Sequence, residues 1–470
     1  MDSLAVLLFR CQGNIWHYIQ VEKQIRLLIK IIIVLLWSTT CLNNNLGTMR
    51  GIALFLTGII TSFFFFPFSF TFLPGINTKM MLAVLGIMIF VWHGVRNKKG
   101  IIVSTEFFTA SIIAGIFSLI GFYAVTYNNT NDFAYATYIV SMWVWLIAAY
   151  AVCSIISRLH GYISVKLIAN YLIGICVAQC ILALLIDNIF VVKYFVDSIV
   201  ITNADKMDTL NRLYGIGASL DVAGTRFAAV LVMIAVLMSH DNEIRTNRKT
   251  IAMYVLWFIL IAVIGSMIAR TTNIGIILAF VYMVYKSGFF QTRIKTTNLR
   301  LWGVLAGVSL ALIIVCIYLY NHVPAAQKLL HFAFEGLINW LETGVWRTDS
   351  TDVLKEMWVF PESIKTWIIG DGYFLDPTKP GFYMGTDVGY LRFIFYCGLT
   401  GLSVFILFFI YLSVACYQRF PQERNLFLLL LVLELLIWIK VSTDIFVVYT
   451  LFMCIPMVQQ QMNNQRMNRL

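Results

Sequence analysis

Apolar residues run along this chain in long near-continuous blocks, separated by short polar segments. The blocks fall at 51–73, 79–95, 101–124, 135–156, 166–186, 218–238, 250–268, 272–286, 301–320, 385–417, 425–440 and 445–459. A helix that crosses a bilayer needs about 20 mostly apolar residues. The pattern therefore predicts an all-α, polytopic membrane bundle of about 12 helices. Runs shorter than that length fit tilted or deeply packed helices. A further apolar stretch, Ile25 to Thr40, precedes the first block. It follows the basic segment Arg10 to Arg26 and carries no clear small-residue cleavage site, so a removed signal peptide is not the reading. Two readings stand for residues 1–48: an interfacial or extra helix, or an upstream extension with translation beginning at Met49.

The polar connections test the count. Basic residues mark every second loop: Arg96, Lys98 and Lys99; Arg158 and Lys166; Arg245, Arg248 and Lys249; Lys286, Arg293, Lys295 and Arg300; Arg419 and Arg424; Arg466 and Arg469. Cytoplasmic loops carry such an excess. The register predicts both termini inside, with two long loops outside, 187–217 and 321–386. The domain plan is then 1–48 as the N-terminal extension, 49–320 as the first nine spans, 321–386 as a large, partly helical periplasmic loop, and 387–470 as the last three spans and a cytoplasmic tail. The large loop contains Trp340, Trp346, Trp358 and Trp367. Such rings favour the membrane interface and also stack on sugars.

Composition agrees. The chain has 470 residues, of which 60% are hydrophobic and 12% charged, with a mean hydropathy of +0.83. Soluble domains are about half apolar and about a quarter charged. The net charge is +11, and its scatter between apolar runs points to the cytoplasmic bias and away from nucleic acid. The nine cysteines form no CxxC pair, and the large loop has none. His322 and His331 have no third ligand at metal spacing. Neither a metal nor another cofactor is expected. Walker A, GxSxG and HExxH motifs are absent from the sequence.

Ionisable side chains at membrane depth are costly and mark candidate sites. Arg226 lies in the sixth run, five residues after Asp221, so an Asp221–Arg226 ion pair is the structural alternative to a fixed cation for phosphate. Arg270 is the one basic residue of a very short turn, Gly265 to Asn273; its alternative role is an interfacial anchor. Asp387 stands where the large loop re-enters the bundle, and partial desolvation there raises a carboxyl toward the range of a general base. Arg392 is five residues on. Arg347 sits in mid-loop, with Asp349 and Asp352 as potential salt-bridge partners.

These segments carry a resemblance. Thr225-Arg226-Phe227-Ala228, Ser266 to Arg270, Trp346-Arg347 followed by Ile368-Ile369-Gly370-Asp371-Gly372, and Thr386-Asp387-Val388-Gly389-Tyr390-Leu391 with Gly398 and Gly401 together resemble the O-antigen polymerase (Wzy-type) and O-antigen ligase superfamily of bacterial membrane glycosyltransferases, over roughly residues 50–460. Two departures stand out: Ala269 replaces the second serine of a Ser-x-Ser-Arg turn, and Asp387 stands where the ligase branch usually has histidine. The second tilts the resemblance toward polymerases. It implies joining of polyprenyl-diphosphate-linked oligosaccharide units at the periplasmic face of the inner membrane, with undecaprenyl-diphosphate sugars as donor and acceptor and a chain-length regulator as a further partner. Arg226 and Arg270 would hold the diphosphate and Asp387 would be the base. Arg392, Arg347 and Tyr390 would contact substrate. Ligase-type transfer to another acceptor and a lipid-linked sugar transporter or flippase are the alternatives.

Overall fold

The computed structural model describes residues 48–96, 104–202, 207, 209–210, 212–287, 296–345 and 347–467. Nearly all of the expected N-terminal extension lies outside these residues, as do Lys98, Lys99, Arg293, Lys295, Trp346 and Arg469. The chain divides into two units, Met1–Leu56 and Thr57–Leu470. Of the first, only the opening of helix α1 is described.

The protein is a mostly helical, multi-pass membrane protein. In chain order the described helices are α1 (Thr48–Phe65), α2 (Thr78–Arg96), α3 (Thr105–Tyr127), α4 (Tyr138–His160), α5 (Val165–Asn188), α6 (Phe190–Ile199), α7 (Leu220–His240), α8 (Asn242–Thr246), α9 (Arg248–Ile268), α10 (Thr272–Lys286), α11 (Thr296–His322), α12 (Pro324–Thr343), α13 (Asp349–Glu356), α14 (Ile364–Ile368), α15 (Gly389–Arg419), α16 (Arg424–Ile437) and α17 (Phe446–Met467). Seven of them are long and apolar enough to cross a bilayer: α2, α3, α4, α5, α7, α9 and α15. Two shorter apolar helices, Arg50–Phe65 and Thr272–Lys286, accompany them.

Local chemistry sets the boundaries. Ser104 and Ser164 accept the Phe107 and Leu167 N–H groups at the starts of α3 and α5, which satisfies otherwise orphaned donors. The α4 helix stops at Gly161 and α12 at Gly344, both left-handed. Pro324 opens α12 at the position where its missing N–H costs nothing.

Two expectations of helix are corrected. The first run does not stay helical to residue 73. Helix α1 ends at Phe65, and Ser69–Phe70 pairs antiparallel with Leu73–Asn77. Pro67 and Pro74 lack the N–H a helix needs, and the hairpin backbone pairs on with the end of α6 and the residues just after it, through Thr71 N–H to Ile199 O and Ile201 N–H to Ser69 O, both 2.9 Å. The tenth run is not one continuous helix either. Helix α15 breaks at Cys397 and Gly398, where Gly398 has φ +67° and ψ −176°. The break frees the Phe395 and Tyr396 carbonyls, which accept the N–H groups of Asp371 (2.6 Å) and Gly372 (3.1 Å) from the long loop. Only glycine fits this crossing, since a Cβ on Gly398 would lie 2.1 Å from the Ile368 carbonyl oxygen. Gly398→Ala combines that clash with a glycine-only conformation worth about 1–3 kcal/mol. We expect a clear drop in thermal stability in detergent and loss of loop docking, read by faster proteolysis between residues 344 and 386.

Among the described residues, the loop-to-loop hydrogen bonds and ion pairs fall into two separate sets. One set joins Asn128–Asp132 to Gly370–Leu375, the Arg270 turn to the long loop, and the 69–71 hairpin to Ile199–Ile201. The other joins Lys166 to Asp241 and Glu243, each at 2.8 Å, and Asn425 to His240 at 2.9 Å.

Candidate functional site

Helix α7 is the centre of the bundle. Its most apolar window is 89% buried, so Arg226 on it faces protein and not lipid. Arg226 is 6% exposed. The expected Asp221–Arg226 pair does not form. Asp221 instead takes Lys440 Nζ at 3.2 Å and the Thr271 hydroxyl, and Lys440 also reaches Thr271 Oγ1 at 3.1 Å. The Arg226 guanidinium lies among the Phe65, Phe66 and Trp145 rings, in the field of Asp444.

Asp387 lies in extended chain between the 3₁₀ turn Tyr383–Gly385 and α15. Thr386 fixes that chain by donating to the Met357 carbonyl at 2.7 Å. The Asp387 side chain is 31% exposed, and its Oδ1 accepts from Arg392 Nη1 at 3.3 Å. Burial pushes its carboxyl up to about 6, against the pull of Arg392 and Lys440 and with a contribution from Asp221. Arg392 is 6% exposed, and its guanidinium carbon lies 3.5 Å from the centroid of the Phe382 ring and 4.0 Å from that of the Phe374 ring. Its Nε and Nη2 have no hydrogen-bond partner. A buried guanidinium with two idle donors is costly, and an oxyanion ligand would satisfy them.

The other expected residues have different surroundings. Arg270 is fully engaged by the long loop. Its Nε donates to the Phe332 carbonyl and its Nη1 to the Ser350 hydroxyl, each at 2.9 Å, and its Nη2 lies 2.5 Å from Glu335. Glu335 in turn accepts the Asp349 N–H at 2.9 Å. Arg347 is exposed and paired with Asp352, the salt bridge weighed as its alternative. The Tyr390 hydroxyl donates to the Leu435 carbonyl at 2.8 Å, and its N–H to Trp438 O at 3.2 Å. Gly370 and Gly372 both adopt positive φ, +84° and +71°. Asp371 is held by Lys365 at 2.7 Å and Thr366 at 2.8 Å, so the Gly-Asp-Gly segment is a docking turn. Among the described residues no group of three or more His, Cys, Asp or Glu side chains is placed to hold a metal ion.

Sequence reasoning missed the element that links these groups, the non-helical stretch 438–445 between α16 and α17. Irregular backbone inside a membrane bundle is tolerated only where protein or a water-filled cavity satisfies it. Here Glu434, fully buried, accepts the Ile445 N–H at 3.1 Å, and Asp444 accepts the Phe446 N–H at 3.0 Å. Lys440 at one end of the stretch sits with Asp221, in electrostatic reach of Asp387. Asp444 at the other end is in reach of Arg226 and Lys79. Tyr135, whose field couples to both Arg392 and Asp444, lies between. In the sequence this stretch is the junction of two apolar runs, and its charged residues, Lys440 and Asp444, are the signal that marks it.

No protein-family model, no curated protein and no solved structure matches the chain. Its class therefore rests on its own architecture: a multi-pass helical membrane protein with buried charge gathered around a broken helix and an unwound linker.

Proposed function

We propose that the protein polymerises polyprenyl-diphosphate-linked oligosaccharide repeat units, as the resemblance to the O-antigen polymerase and ligase superfamily implies. On this reading the chain has about 12 spans in the bacterial inner membrane, with its termini in the cytoplasm and Asp387 facing the periplasm. The observation that carries the reading is the Asp387–Arg392 pair: a half-buried carboxyl pushed up to about 6, beside a buried guanidinium with idle donors. That combination suits proton abstraction next to a developing or departing oxyanion.

In the proposed step the acceptor hydroxyl oxygen attacks the anomeric carbon of the donor sugar. Its proton passes to the Asp387 carboxylate. The bond from that carbon to the diphosphate oxygen breaks, and the diphosphate leaves with the electron pair on its polyprenyl carrier. Arg392 orients Asp387 and meets an oxyanion. Arg226 attracts the diphosphate. Arg270, with its donors occupied by the long loop, acts as a positioning residue. The reaction draws its energy from the glycosyl–diphosphate bond.

A second reading has one observation in its favour. A broken α15 and an unwound linker beside buried charges are also how transporters build sites. The two separate in one assay. Purified protein in lipid nanodiscs, given lipid-linked repeat units and EDTA, is expected to yield a ladder of longer lipid-linked glycans. No ladder, together with protein-dependent movement of units across sealed vesicles, would replace polymerisation by transport.

A further inference from the structure

The two idle donors of Arg392 share one edge of its guanidinium. Nη1 lies 3.3 Å from Asp387 Oδ1, while Nε and Nη2, the side-on pair, have no hydrogen-bond partner among the described residues. The N–H bonds of that pair run parallel, which is the arrangement that takes both oxygens of one carboxylate. The other acid whose field reaches Arg392 is Asp132, and its oxygens are spent on backbone. Its Oδ2 accepts the Phe374 and Leu375 N–H groups at 2.8 and 3.0 Å, and its Oδ1 the Ala134 N–H at 3.2 Å. Phe374 and Phe382, the rings beside the guanidinium, belong to a short hairpin, residues 374–383. Asp132 pins its first arm. The return arm is tied to the first by Asp376 N–H to Gly381 O at 3.1 Å and Tyr383 N–H to Phe374 O at 3.3 Å. Gly381 and Gly385, with φ +139° and +65°, flank Phe382 on that arm.

We infer that this edge of Arg392 reads a carboxylate on the acceptor glycan, so that the units this protein joins carry an acidic sugar; the inference rests on the polymerase reading and names the oxyanion that Arg392 meets. The ligand class follows from the charge balance. Arg392 already lies in the fields of Asp387 and Asp132. A monoanion matches its one free edge, whereas a multiply charged phosphate would meet two carboxylates across a single guanidinium, in a medium that screens them poorly. The step itself calls for the same partner. When Asp387 takes the acceptor proton it becomes neutral, and a buried guanidinium loses the anion beside it, which is costly. A substrate carboxylate on the opposite edge keeps it paired. Base and free edge belong to one guanidinium, so the carboxylate and the reacting hydroxyl lie on the same or adjoining sugars. That places the acid on the acceptor. Nε and Nη2 are closed off from solvent, so the sugar enters by displacing the arm that carries Phe382.

The test uses the full chain in phosphatidylcholine nanodiscs and matched probes: p-nitrophenyl glucuronide and galacturonide, their methyl esters, and the corresponding glucoside and galactoside. Wild type is expected to bind a uronide saturably, about tenfold or more tighter than its ester and its neutral counterpart. Arg392→Gln should abolish that preference, and Arg392→Lys, which keeps the charge without the fork, should weaken it. Phe382→Trp should report entry by a change in emission with the same midpoint as uronide binding; constant emission overturns the displaced arm. Equal binding of uronide, ester and neutral glycoside by wild type overturns the inference without recourse to a variant. A preference that survives in Arg392→Gln puts the carboxylate elsewhere and overturns it as well. Inorganic diphosphate that displaces the uronide more effectively than acetate does would make the edge a phosphate site, which also overturns it. The two readings fail separately. Lipid-linked neutral units elongated as fast as units carrying a uronic acid remove the carboxylate and leave the polymerase. A uronide preference that depends on Arg392, in a wild type that elongates neither kind of unit, keeps the carboxylate and removes the polymerase.

Discussion

Asp387→Asn is expected to reach the membrane in normal amount and bind lipid-linked substrate while elongating at least a hundredfold more slowly. General-base catalysis contributes about 10²–10⁴-fold, and the amide cannot take the acceptor proton. The side chain is isosteric and can still accept from Arg392, so its melting temperature should stay near wild type. The pH profile gives an independent check. With the carboxyl pushed up to about 6, the group is protonated and inert below that value and ionised above it. The rate of wild-type elongation should therefore rise with pH through about 6, with a slope of one on a logarithmic plot, and then level off. The residual activity of Asp387→Asn should lack that rise. Near-wild-type polymer in the variant, or a wild-type rate that falls as pH rises through this range, would remove Asp387 as the base.

Arg270→Met is expected to be the most destabilising of the charge substitutions, for a reason separate from chemistry. It leaves Glu335, 5% exposed, without the cation beside it, and breaking a buried pair in this way costs about 3–5 kcal/mol. The donors to Phe332 O and Ser350 are lost together with it. The variant should melt earlier, show a protease-sensitive long loop and yield little polymer. Glu335→Gln added to Arg270→Met removes the stranded charge and keeps an acceptor for the Asp349 N–H, so stability and polymer should return together. A double variant that regains its melting temperature and stays inert would instead put Arg270 on the substrate, the role the resemblance implies.

The bundle was legible because helix formation at membrane depth is a local matter. Each segment must satisfy its own backbone hydrogen bonds, so apolar length and flanking basic residues carry the signal. The long helices α3, α4, α5 and α9 each lie within a few residues of the runs read from the sequence. The hairpin at 69–77 was not legible, since its partner lies more than a hundred residues away, after α6. Nor was the break in α15. Gly398 announces permissiveness, but what it permits is decided by Asp371 and Gly372, whose N–H groups arrive from a different segment.

The candidate site divides along the same line. Sequence alone picked out Arg226, Arg392 and Asp387, because charge in an apolar neighbourhood stands out against its local background. Partnership did not stand out. Asp221, five residues from Arg226, belongs to Lys440, more than two hundred residues away. Arg270 belongs to Glu335, and Lys79 and Arg226 both lie near the Trp145 ring. What the sequence by itself determined is that this chain lives in a membrane, and which of its side chains are costly to keep there. Only the tertiary structure decided how each cost is met, because opposite charges attract by distance in space, and spacing along the chain does not set that distance.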